Sequence, residues 1–292
     1  MVKVIMLIFM VLVSLSGFAR LDTIPEKTSI MTPSSSLITA GIVTAGSYTI
    51  LHQLWYKDYD RQSFHFFNDL NEWNGMDKAG HITTAYILSE KSEPFFRKFN
   101  WNNRSPFVAA AFGFTYTSTL EVLDAYSEGW GFSVSDLGAN FIGSSLYLAQ
   151  EKLIGDQRLR LKWSFQRSGL AMRNSPLLGE SLFEQMFKDY NGQTYWASFN
   201  LFSACNKKGL PKWLSVSGGY GINNFTRAQS DQVAGLQPYS QYYLSLDVDW
   251  SKIPIRSKHV KNILSALNFI KLPFPTLQLD KKAGLTFHPV YF

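Results

Sequence analysis

Gln241 to Trp250 reads QYYLSLDVDW. Tyr243, Ser245, Asp247 and Asp249 alternate with Tyr242, Leu244, Leu246, Val248 and Trp250. A period of two is the mark of a β-strand with one wet and one apolar face. One face, the polar series, is expected to be wet and the other apolar.

The same texture recurs through the second half of the chain. RLKWSFQRS, TYWASFNLFS, KWLSVSGGYG and AGLTFHPVYF are short, aromatic and partly alternating, and Gly, Pro, Asn and Lys clusters separate them. SKHVKNILSALNFIKLPFPTL reads as an isolated helix stopped by Pro273. The aromatic strands also match the pattern of outer-membrane β-barrels, but about six candidates fall short of the roughly eight strands with which closed barrels begin. A sheet packed on the helical half is the more economical expectation.

The first half has helical texture. SLITAGIVTAGSYTILHQLWY, residues 36–56, has no formal charge and ends on Trp55 and Tyr56. It reads either as a membrane-crossing helix with small-residue packing or as a buried helix of a bundle. A second helix is expected over 77–90. A third is opened by Pro106 and broken at Gly129 and Gly131, and a fourth, capped by Ser135, ends by Gly155. The fold class is therefore α+β, with a bundle of about four helices followed by a β-rich part. The expected divisions are a signal segment at 1–19, a helical bundle at 20–155 and a β-rich region at 156–292.

The start, MVKVIMLIFMVLVSLSGFAR, has a lysine, an apolar run and small residues ending at Ala19. That is the layout of a secretory signal peptide, with an uncleaved anchor as the alternative. Export, to the periplasm or the outer membrane of a Gram-negative cell, follows from either. Charged residues make up only 17% of the chain and aromatics reach 15%, which suits a surface against lipid or another apolar partner. Residues 1–150 have a charge balance of −3 and residues 151–292 one of +9. The basic half suits anionic lipid or glycan, and export argues against nucleic acid. Cys205 is the only cysteine, so disulfides and cysteine metal sites are excluded.

Polar residues at helical spacing mark the candidate site. In EWNGMDKAGH, Asp77 and His81 are four apart and share a helix face, with Lys78 beside them. Glu121 and Asp124 are three apart, and Asp136 and Asn140 four apart, in otherwise apolar sequence. An unpartnered buried carboxylate costs several kcal/mol, so these groups are expected to face one another or a ligand. His52 and His65 sit among aromatics and read as packing or interfacial residues. His259 and His288 have no evident partner, and Lys281–Lys282 reads as a solvated turn. The tryptophans of WNGM and GWG are expected at a membrane interface or on the wall of a cleft.

MDKAGHITTAYILSE followed by EVLDAYSEGWGFSVSDLGANFIGSSL resembles the YfiM-like family of predicted periplasmic lipoproteins of unknown function. The long, Bacteroidota-type members are similar over nearly the whole chain, including PLLGESLFEQMFKDYNGQTYWASFNL and QYYLSLDVDW. More distantly, the order Asp-Lys-x-x-His, Glu-x-x-Asp, Asp-x-x-x-Asn resembles VanZ-like envelope membrane proteins. The positions carried over are Asp77, Lys78, His81, Glu121, Asp124, Asp136 and Asn140, and no established activity travels with them. The lipoprotein pattern implies a cysteine after the signal, which this sequence lacks.

Three readings stay open. The cluster is structural, satisfying helix termini and buried neighbours. Or it lines a helical cleft that binds a polar envelope molecule, a lipid headgroup or glycan. Or His81, Glu121 and Asp124 supply the ligand types of a divalent-metal hydrolase, although DKAGH is not H-E-x-x-H and no G-x-S-x-G elbow is present.

Overall fold

The computed structural model describes residues 32–52, 56, 59–203, 209–228 and 235–292. The expected signal segment and Cys205 lie outside these residues. The chain divides into two compact units. One comprises Thr84–Asp156 with the described residues up to Leu70, and the other Asn71–Thr83 with Gln157–Phe292.

The first unit is helical. α1 spans Pro33–Leu51, opened by a Thr32–Ser35 capping box that satisfies its first free N–H groups. α2 spans Met76–Phe96 and gives this unit its length from Thr84 onward. α3 (Ser105–Asp124) has Pro106 in its first turn, as expected. α4 is Val134–Leu153. Its cap is Ser133, whose Oγ accepts from Asp136 N–H, and not Ser135. Both serine hydroxyls instead donate to Asp69 Oδ1, at 2.5 and 2.8 Å, so one carboxylate organises the helix start.

Small residues let the helices close up. A Cβ on Gly113 of α3 would lie 2.2 Å from Ser89 Oγ and 2.7 Å from the Ala85 carbonyl. The core around this crossing holds Tyr86, Ile87, Leu88, Phe96, Tyr116 and Tyr147, all buried. Hydroxyls pin α1 to α3: Ser47 Oγ and Tyr116 Oη lie 2.8 Å apart, and Tyr48 Oη donates to the Tyr116 carbonyl at 2.7 Å. Glu93, also buried, accepts from Ser105 Oγ at 2.7 Å and pairs with Arg97 at 2.6 Å. Among the described residues, no helix is long and apolar enough to cross a membrane. The helix over Pro33–Leu51 is not a buried one either, since Leu37, Ile38 and Ile42 are exposed.

The second unit is a six-stranded antiparallel meander in the order β1 to β6. The strands are β1 Leu159–Phe165, β2 Gln193–Asn200, β3 Leu214–Asn223, β4 Tyr239–Val248, β5 Phe274–Asp280 and β6 Gly284–Tyr291. The free side of β1 is met by a short parallel bridge, in which Trp163 N–H donates to the Phe269 carbonyl and Lys271 N–H to the Trp163 carbonyl. A helix of Leu182–Lys188 (α5) precedes β2, and α6 (Lys258–Leu267) precedes β5. The sequence's isolated helix thus ends six residues before Pro273, and the following PFPTLQLD is largely strand.

The faces are reversed from expectation. Gln241, Tyr243, Ser245 and Asp247 of β4 are buried, whereas Tyr242, Leu244 and Leu246 are 55%, 53% and 45% exposed. The buried side is rich in polar and charged groups. Lys162 Nζ pairs with Asp247 Oδ2 at 2.7 Å, and Ser198 Oγ donates to the same oxygen at 2.6 Å. Lys271 Nζ donates to the Leu246 and Leu272 carbonyls at 2.8 and 2.9 Å and lies 5.0 Å from the Trp196 ring centre. Arg160 pairs with Asp249 at 3.0 Å. Partnering of this kind is what makes burial of these charges tolerable.

Candidate functional site

The motif EWNGMDKAGH lies wholly in the Asn71–Thr83 segment of the sheet-bearing unit. Its turn is unusual, because Trp73 and Asn74 adopt φ of +49° and +50°. Such values cost a non-glycine residue on the order of 1 kcal/mol or more, and specific contacts hold them. Trp73 N–H donates to the Ala228 carbonyl, and its ring lies 5.0 Å from that of Tyr190. Asn74 Nδ2 donates to Ser240 Oγ at 2.6 Å and to Tyr220 Oη at 3.1 Å, and Tyr220 returns a hydrogen bond to the Asn74 carbonyl.

The turn delivers Asp77 to the start of α2. Asp77 Oδ2 accepts from Lys78 Nζ at 2.9 Å, and Oδ1 accepts from Tyr190 Oη at 2.9 Å and lies 3.9 Å from His81 Nε2. Burial by itself would raise the Asp77 pKa, but the charges of His81 and Lys78 outweigh it and hold the carboxyl below its ordinary range. Trp73 is buried, which puts this tryptophan in a packing role.

Glu121, Asp124, Asp136 and Asn140 belong to the helical unit. Asp136 and Asn140, four apart as expected, share one face of α4 with Ser144, and all three are buried, as is Glu121 on α3. Asp124, the last residue of α3, accepts from Tyr56 Oη at 2.6 Å. Burial and then the Asp124 carboxylate push the Tyr56 pKa up, so its hydroxyl keeps its proton.

Tyr56 is also in the wall of a cavity of about 700 Å³, within the size range of small-molecule sites. Tyr48, His52, Tyr59 and Tyr126 supply further rings, and Asp60, Arg61 and Gln62 polar groups. Trp130 of the GWG motif backs this wall, 4.5 Å from the Tyr59 ring and 5.8 Å from that of Tyr56. Of the cavity residues, the sequence reading had singled out His52 and Tyr56, neither of them as a ligand group. The available signal was the mixed aromatic and polar connector KDYDRQ between two apolar helices. His288, by contrast, has a partner the sequence did not suggest, with Nε2 2.8 Å from Gln278 Oε1.

Residues 65–150 match the model of a family described as predicted periplasmic lipoproteins (DUF2279). The matched segment contains all seven candidate positions from Asp77 to Asn140. The protein is accordingly an exported one, periplasmic or membrane-associated, and the description attaches no activity to it. No curated protein and no solved structure shows significant similarity to the chain.

Proposed function

We propose that this exported protein binds a polar envelope molecule, a glycan fragment or a lipid headgroup, in the tyrosine-lined cavity of its helical unit. The observation that carries the reading is the Tyr56–Asp124 hydrogen bond at the cavity wall. It fixes one ring and orients a half-buried carboxylate acceptor behind it. Flat rings such as Tyr59 and Tyr126 suit the apolar face of a sugar, while Asp60 and Gln62 suit hydroxyl groups and Arg61 a phosphate. A cation at Asp77 or Asp124 would compete with a tyrosine hydroxyl already bonded to each carboxylate.

Calorimetric titration of the purified chain tests this, with a glucosaminyl–muramyl disaccharide and with glycerophosphoethanolamine as separate probes. Saturable binding of either probe is expected, weakened at least tenfold by Tyr59→Ala. Arg61→Ala should weaken the phosphate-bearing probe selectively. Absence of saturable heat for both probes, or binding indifferent to both substitutions in folded protein, overturns the proposal.

A further inference from the structure

Sheets in water-soluble proteins turn the apolar side of each strand inward and the polar side out. The six-stranded sheet does the opposite in its two middle register rows. Its outward register rows run Leu161, Ala197, Gly218, Leu244, Leu277, Phe287 across all six strands, and Leu159, Phe199, Val216, Leu246 across the first four. Neither row contains a charged or hydrogen-bonding side chain. Phe199, Leu244 and Phe287 are each more than half exposed, and Leu279 and Leu285 of the neighbouring row are 54% and 70% exposed. The inward rows hold Lys162, Ser198, Ser217, Ser245, Asp247 and Thr276, all buried, beside one aromatic cluster of Trp196, Tyr243 and Tyr291.

We infer that this outward face lies against the acyl chains of a lipid bilayer. Apolar outside and polar inside is the pattern of strands in membranes, where hydrocarbon replaces water as the outer solvent. A protein-docking surface would add an apolar patch to a molecule whose own strands kept their polar side in water, and would carry polar groups for about one hydrogen bond per 100–200 Å². This face has neither property.

Two further features fit lipid. The next row on this side is Trp163, Tyr195, Tyr220 and Tyr242, four aromatics in register at one end of the apolar band. Trp163 and Tyr195 are covered, while Tyr220 and Tyr242 reach the surface. Surface tyrosines of this kind gather at the level where hydrocarbon meets headgroups. The charge balance of residues 151–292 is +9, complementary to anionic lipid. The depth of the band is also informative. Three rows, two residues apart at about 3.4 Å per residue, cover roughly 14 Å, about half of the ~30 Å hydrocarbon core. The face therefore enters one leaflet and does not span the bilayer.

The test uses the full chain with Cys205→Ser and a single new cysteine, Leu244→Cys, Leu277→Cys or, as control in the β5–β6 turn, Lys282→Cys. Each carries an environment-sensitive fluorophore and is mixed with 3:1 phosphatidylethanolamine–phosphatidylglycerol vesicles. Labels at 244 and 277 should shift to the blue and be quenched by spin-labelled acyl chains, and the label at 282 should not. In flotation, Leu244→Lys with Leu277→Lys should lower vesicle recovery at least tenfold, with circular dichroism confirming the fold. Two results overturn the inference: labels at 244 and 277 that stay open to aqueous iodide on vesicles, or labels shielded without lipid in a protein that sediments as a dimer. The second would assign the face to another copy of the chain.

Discussion

Lys162 Nζ and Asp247 Oδ2 meet at 2.7 Å with neither side chain reaching solvent. The pair sits on the side of the sheet that alternation alone would have given to water. Removing one partner strands a buried charge, so Lys162→Met should destabilise the protein by about 3–5 kcal/mol. Lys162→Met with Asp247→Leu should cost less than either single change. Urea unfolding of the three variants measures this.

Lys271 sets a pH dependence on the alkaline side. Its ammonium is buried, and desolvation pushes its pKa from 10.5 down to about 8 despite the nearby Asp247. Between these values the unfolded chain holds a proton that the folded chain has released. Stability attributable to this residue therefore rises as pH increases from about 8 toward 10. Lys271→Met should flatten that rise in melting curves taken across the range.

Asp77 acts on the acid side. Its folded pKa lies below the ordinary 3.8, because His81 and Lys78 outweigh the opposing effect of burial. Its contribution is fully present above about pH 4 and is lost as pH falls through the folded value. Tyr190→Phe removes the hydroxyl that donates to this carboxylate and should cost about 1.5–3 kcal/mol. Chemical denaturation at pH 7 reads the cost, and acid titration of Asp77→Asn should lose the corresponding step.

Two helical glycines should respond oppositely. Gly113→Ala forces a methyl group against the Ala85 carbonyl and Ser89 and should cost about 1–3 kcal/mol. Gly138 on α4 is different, because a Cβ added there would meet no atom within 4 Å. Gly138→Ala should stabilise by up to about 1 kcal/mol through helix propensity. Thermal melts of the two variants check the contrast.

Most of the elements were legible because their periodicities are strong. β1, β2, β3, β4 and β6 all fall within or near the stretches read as strands, and α1 to α4 within or near the helical ones. β5 was hidden because Pro273 read as the stop of a helix, whereas the strand begins at Phe274 and Pro275 occupies an exposed place in it. Alternation separated the two series of QYYLSLDVDW but could not say which was inside. That choice depends on what surrounds the sheet, and partners for Asp247 lie 85 and 24 residues away in sequence, at Lys162 and Lys271. The spacing Asp136–Asn140–Ser144 did foretell a buried polar stripe. The Tyr56–Asp124 contact was invisible, since no local pattern joins residues 68 apart.

The meander order also has a kinetic consequence. Every strand pairs with its immediate predecessor, so the sheet can grow hairpin by hairpin as the chain emerges on the far side of the inner membrane. The side of β1 away from β2 must wait until Phe269 and Lys271 arrive, about a hundred residues later. During that interval an open strand edge stands beside a cationic Lys162. Chains halted before Phe269 are expected to aggregate through β1, and periplasmic holding factors should be needed most at that stage.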